Sequence, residues 1–67
     1  MLNTSDKIVA YRHRNNMTQE QVAQYLNIST VTYRTREEKP ETWRLKELHQ
    51  LSALFNVSMR DLMADEQ

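Results

Sequence analysis

Apolar residues recur in this chain at spacings of three and four, broken at intervals by polar residues suited to caps and turns, so the pattern predicts helices joined by short links. It is sharpest from Thr18 to Glu37, TQEQVAQYLNISTVTYRTRE. Thr18 with Gln21 three residues later forms a capping box, each side chain satisfying a backbone N–H that the first turn leaves unpaired. A helix is expected over about residues 19–26, with Val22, Ala23 and Leu26 on one stripe and Gln19, Glu20, Gln21 and Gln24 filling the rest. Asn27 tolerates the left-handed backbone that stops a helix, and Ser29 caps another, expected over 30–37 with Tyr33 turned to the core. A link of three residues requires the two helices to cross steeply, with Ile28 as the wedge between them.

Three more helices follow from the same reasoning. The cluster Thr4-Ser5-Asp6 caps a helix over about 6–15, where Ile8 and Tyr11 face the core with Val9 beside them and Lys7, His13 and Arg14 face water. Asn15-Asn16 ends it, and Met17 tucks in as an apolar staple before the Thr18 cap. Pro40 disfavours helix at the residue before it, and Thr42 caps a helix over about 43–55 whose Leu45, Leu48, Leu51, Leu54 and Phe55 close the core. Asn56 stops that helix, and Ser58 with Asp61 opens a last one over about 59–64, carrying Met59, Leu62 and Met63. Residues 65–67 are expected to fray. With no Gly, one Pro and no alternating run of β-formers, strand signals are missing and the fold class is all-α, in a single domain over 1–67.

The stretch resembles the helix-turn-helix of the lambda repressor and Cro-like family of DNA-binding proteins, through Thr18, Gln19, Glu20, Val22, Ala23, Leu26, Asn27, Ile28, Ser29, Tyr33 and Glu37. Leu45, Leu48, Leu51, Phe55 and Asn56-Val57-Ser58 continue the likeness at the spacing of the family's fourth and fifth helices, over about residues 6–63. The resemblance implies a five-helix lambda-repressor-like domain whose third helix enters the major groove. By position, Thr30, Val31, Arg34 and Thr35 would read bases: Thr offers a hydroxyl and a methyl, Val31 apolar contact, and Arg34 a bidentate bond to guanine. Gln19, Ser29, Arg36 and Lys39 would contact phosphate, helped by helix N-termini. An Arg where Arg12 stands pairs, in the family, with the Glu where Glu37 stands, which implies a structural clamp between helices 1 and 3. The chain departs from the family in two ways. Asn16, Asn27 and Lys39 stand where Gly is usual, and Arg36 stands where an apolar residue is usual. Arg36 either lays its stem over the core and reaches a phosphate, or leaves helix 3 less well anchored.

Charge modifies this picture. Nine basic and nine acidic side chains cancel, whereas a nucleic-acid binder is usually strongly basic. The cancellation is uneven: residues 1–16 and 30–46 are each net positive by two, and the acid collects after residue 46. A molecule so polarised can turn a basic side to DNA. At 67 residues a single core gives only a few kcal/mol of net stability, so a homodimer would help; Trp43, Leu54, Met59 and Met63 are candidates for a dimer or partner interface, though a Trp placed like Trp43 is more often core or lid. The absence of Cys, of a membrane-length apolar run and of a signal-peptide pattern suits a soluble cytoplasmic protein that meets no membrane. His13 and His49 fall on different helices without ligand spacing, and no Gly-rich phosphate loop exists, so neither an enzyme, a metal nor a cofactor is expected.

Two functions from different classes fit. One is a phage-like transcriptional regulator of Cro or repressor type, binding a double-stranded operator as a homodimer. The other is an antirepressor, or an interaction module, that keeps the fold and masks a partner repressor. Neutral charge, the undemanding Thr30, Val31 and Thr35, and Arg36 at a core position favour the second more than they would in a typical repressor, but the first is the preferred reading.

Overall fold

Each α-helix but the fourth begins at a side chain that accepts a first-turn N–H. In the structure, a computed structural model that describes residues 1–65, Asn3 caps α1 (Thr4–Arg14) in a box with Asp6. Thr18 and Gln21 do the same for α2 (Gln19–Leu26), Ser29 caps α3 (Thr30–Glu38), and Ser58 with Asp61 caps α5 (Met59–Leu62). The first helix thus starts two residues before the sequence pattern suggested. Asn3 takes the extended backbone a cap needs, which releases Ser5 into the helix interior, where it is buried.

The fourth helix, α4 (Leu45–Phe55), starts two residues later than expected. Pro40–Thr42 form a 3-10 turn, and Thr42 donates its hydroxyl to the Lys39 carbonyl instead of capping a helix. At the head of α4, Glu47 accepts the Arg44 N–H at 2.9 Å. The delayed start changes the core stripe. Glu47, Leu48, Leu51 and Phe55 are buried, while Leu45 is 64% exposed. Glu47 lies one helical turn before Leu51 and takes the inward place; Leu45 sits on the far flank of the stripe.

Positive φ occurs at Asn16, Asn27 and Asn56, at 55°, 59° and 56°. Asn enters this region at modest cost because its short side chain bonds locally. Lys39 stays at φ −125°, so the chain leaves α3 through the proline turn and needs no left-handed residue there. Ile8, Val22, Ala23, Leu26, Tyr33, Leu48, Leu51, Phe55 and Leu62 form one core drawn from all five helices. Tyr11 stacks on Phe55 at 5.9 Å between centroids, and Trp43 meets Tyr33 edge-on at 5.7 Å. Among the described residues there is no strand, and no helix is long and apolar enough to cross a membrane.

The two ends of the described chain are clasped. Asp65, expected to fray, donates its N–H to the Leu2 carbonyl at 3.1 Å, and its carboxylate accepts from the Leu2 N–H at 3.0 Å and from Lys7 Nζ at 2.6 Å. Glu66 and Gln67 lie outside the described residues. The Lys7 bond, then the Leu2 N–H, holds the Asp65 carboxyl below the usual carboxylate range. A carboxyl depressed in the folded state stabilises above its ordinary value, and that contribution is lost as pH falls through the folded value. Asp65→Ala, compared with the parent at the same neutral pH, is expected to speed hydrogen exchange at the Leu2 amide while the Leu51 amide keeps its protection. Acid slows the intrinsic exchange of every amide, so on acidification the loss is read as a fall in the Leu2 protection factor. Equal rates in the variant and the parent would show that the clasp does not hold.

Candidate nucleic-acid interface

The short link between α2 and α3 positions the outer face of α3. Asn27 turns the chain in the left-handed region, the Ile28 N–H returns to the Ala23 carbonyl at 3.0 Å, and Ile28 packs half-buried on the core. Ser29 accepts the Thr32 N–H and donates its hydroxyl to Thr32 Oγ1, so the next helix starts at once. Tyr33 is fully buried and fixes the rotation of α3. Val31 then stands outward at 71% exposure, with Arg34 exposed and Thr30 and Thr35 half-buried. The Thr35 hydroxyl donates to the Val31 carbonyl at 3.1 Å, which leaves Thr35 an acceptor and a methyl for anything that approaches.

Behind this face runs a connected set of polar side chains. Arg12, buried to 8% exposure, donates Nε to Glu37 Oε2 at 3.0 Å and Nη1 to the Met17 carbonyl at 3.1 Å. Glu37 Oε1 accepts from Gln19 Nε2 at 2.9 Å, and Gln19 Oε1 accepts from Arg34 Nε at 3.2 Å. The structure therefore brings Arg12, Glu37, Gln19 and Arg34 together, joining α1, α2 and α3. The Tyr33 hydroxyl lies in the same region, buried and without a partner in hydrogen-bonding geometry. Burial first, then the neighbouring Glu37 carboxylate, pushes this phenol far above its ordinary range, so it stays neutral.

Arg36 is not presented to a phosphate. Its Nε donates to both oxygens of Glu47, at 3.0 and 3.3 Å, in an ion pair whose side chains are 14% and 7% exposed. This is a second clamp, between α3 and α4, and it accounts for a cation in place of an apolar residue: the facing position on α4 carries a carboxylate. Ser5 extends the layer, donating its hydroxyl to the Arg36 carbonyl at 2.9 Å and accepting from Trp43 Nε1 at 2.9 Å. Trp43 is thus half-buried against the core and tied to α1 through its indole N–H. Leu54 and Met59 are half-buried on the core, and of the proposed interface residues only Met63 is exposed, at 48%.

Sequence reading missed Glu47 and Ser5; an Arg at an apolar position was the available sign that a buried acid faces it. It also passed over Arg44 and Lys46. Both are exposed and line, with Asn27 and Ile28, a depression beside the α2–α3 turn. Lys39 is exposed as well, just past α3. His13 and His49 are exposed on α1 and α4, and among the described residues no three His, Asp or Glu gather as metal ligands.

A family model described as the Cro/C1-type HTH DNA-binding domain matches residues 7–67. No curated protein and no solved structure matches the chain.

Proposed function

Because this chain belongs to the Cro/C1-type helix-turn-helix DNA-binding family, we propose that it regulates transcription in the cytoplasm by placing α3 in the major groove of a specific duplex operator. The observation that carries this reading is the outward row of α3. Val31 and Arg34 project from a helix that two buried ion pairs fix to its neighbours. Arg34 is suited to a guanine edge, Val31 and the methyls of Thr30 and Thr35 to a thymine methyl. Phosphate contacts fall to Ser29, to the unpaired N–H groups that open α2 and α3, and to Lys39, Arg44 and Lys46. Arg36 is left out of that set. The regulator acts as a repressor-like homodimer on a two-fold operator with half-sites ~34 Å apart.

A second reading, an antirepressor docking on another repressor, is favoured by the exposed Val31 and by the pairing of Arg36 and Arg12 inside the molecule, which leaves Arg34 as the one exposed cation of α3. Selection from a pool of random duplexes at two salt concentrations separates the two. Operator binding predicts enrichment of one sequence, affinity that falls steeply with salt, and a loss on the order of ten- to a hundredfold for Arg34→Ala with Thr35→Ala, at unchanged helix content. No enrichment, with capture of a repressor through Val31, would instead establish the second reading.

A further inference from the structure

Gln19 has an orientation that its neighbours dictate. A carboxylate can only accept, so the Gln19 NH2 must be the end that faces Glu37, as the 2.9 Å contact has it. The amide oxygen is then forced to the opposite side, where it meets Arg34 Nε at 3.2 Å. Glu37 is itself held by Arg12 from beneath. The buried ion pair thereby sets the direction of an amide, and the amide sets the direction of an exposed guanidinium. Arg34 otherwise carries several rotatable bonds into solvent, and an arginine bound through Nε keeps both Nη groups free in the fork that fits the N7 and O6 edge of guanine.

We infer that Gln19 is a positioning residue for base reading: it transmits the fixed geometry of the Arg12–Glu37 pair to Arg34 and so sets selectivity for one guanine in the operator. This rests on the proposed function, and it differs from a phosphate role for Gln19, which would strengthen binding to every duplex alike. Gln19→Met removes both bonds and changes no charge. The expected result is a loss on the order of tenfold in discrimination at a single G·C pair, with little change in affinity for unrelated duplexes or in the salt slope.

The test has two arms. In the first, nitrogen-15 NMR of the full chain follows the Arg34 Nε–H: it should exchange more slowly than in an unfolded arginine peptide, and lose that protection in Gln19→Met while backbone amide shifts elsewhere stay in place. Free exchange in the parent overturns the inference without any DNA. In the second, Gln19→Met, Arg34→Met and the double variant are compared on the selected operator and on the same operator with that G·C pair inverted. Discrimination lost in either single variant, with no further loss in the double, supports transmission through Gln19. Uniform weakening on both duplexes, or additive losses, overturns it. Enrichment of no duplex by the parent is a distinct result that removes the proposed function, and this role with it.

Discussion

Glu37→Ala is expected to leave the chain largely unfolded at room temperature. Arg12 is buried beneath Glu37 with its Nε on the carboxylate, and removing one partner of such a pair typically costs about 3–5 kcal/mol, because the other charge stays desolvated. A domain this small has only a few kcal/mol in hand. The loss reaches further than the pair, since Gln19 also donates to Glu37. Far-ultraviolet circular dichroism through a thermal scan reads the result directly: the variant should show reduced helix and no sharp transition. Replacing both partners, Arg12→Met with Glu37→Met, should regain part of the stability by avoiding the stranded charge. A Glu37→Ala protein that melts with the parent would contradict the clamp.

Arg36→Leu should be nearly as damaging alone and mild in company. The single change installs the apolar residue usual in the family, yet it strands Glu47, whose side chain is 7% exposed. The same logic of an orphaned buried charge gives a cost of about 3 kcal/mol or more at neutral pH. Adding Glu47→Leu removes the acid with its partner, and well-packed apolar replacements of buried ion pairs are often neutral or stabilising. Part of that gain is offset at the start of α4, because Glu47 also accepts the Arg44 N–H and loss of a cap costs about 1 kcal/mol. Urea melts of the parent, the single and the double variant decide the matter. If the double variant is no more stable than Arg36→Leu, the two side chains do not act as a pair.

The local rules that succeeded share one property: donor, acceptor and backbone demand lie within three or four residues of one another. Thr18 with Gln21 and Ser58 with Asp61 form their boxes, and Asn27 and Asn56 take the left-handed turn. Two caps expected from the sequence are not the ones the molecule uses. Asn3, not the Thr4 to Asp6 cluster, caps α1, and Thr42 bonds back to the Lys39 carbonyl while α4 opens after Arg44 without a capping side chain of that residue.

Polar residues were harder to place, since their partners are distant in the chain. Arg36 and Glu47 are eleven residues apart, Ser5 and Trp43 thirty-eight, and Asp65 and Leu2 sixty-three. Nothing in the spacing of a charged residue marks it as buried; the sign was negative, a cation where an apolar side chain is usual. The outer face of α3 was legible in outline because Tyr33 fixes its rotation, but the coupling of Gln19 to Arg34 was not.

By itself, then, the order of residues determined five helices, the asparagine turns after α2 and α4 and the direction in which α3 faces, but not the 3-10 turn between α3 and α4, because capping and periodicity act over one or two turns of chain. The Arg12–Glu37 clamp was implied by the resemblance and is present; which other charges face water only the folded molecule decided. Arg36 is neutralised inside by Glu47, while Arg34, Lys39, Arg44 and Lys46 remain exposed, since burial of an ion depends on what the tertiary packing sets opposite it.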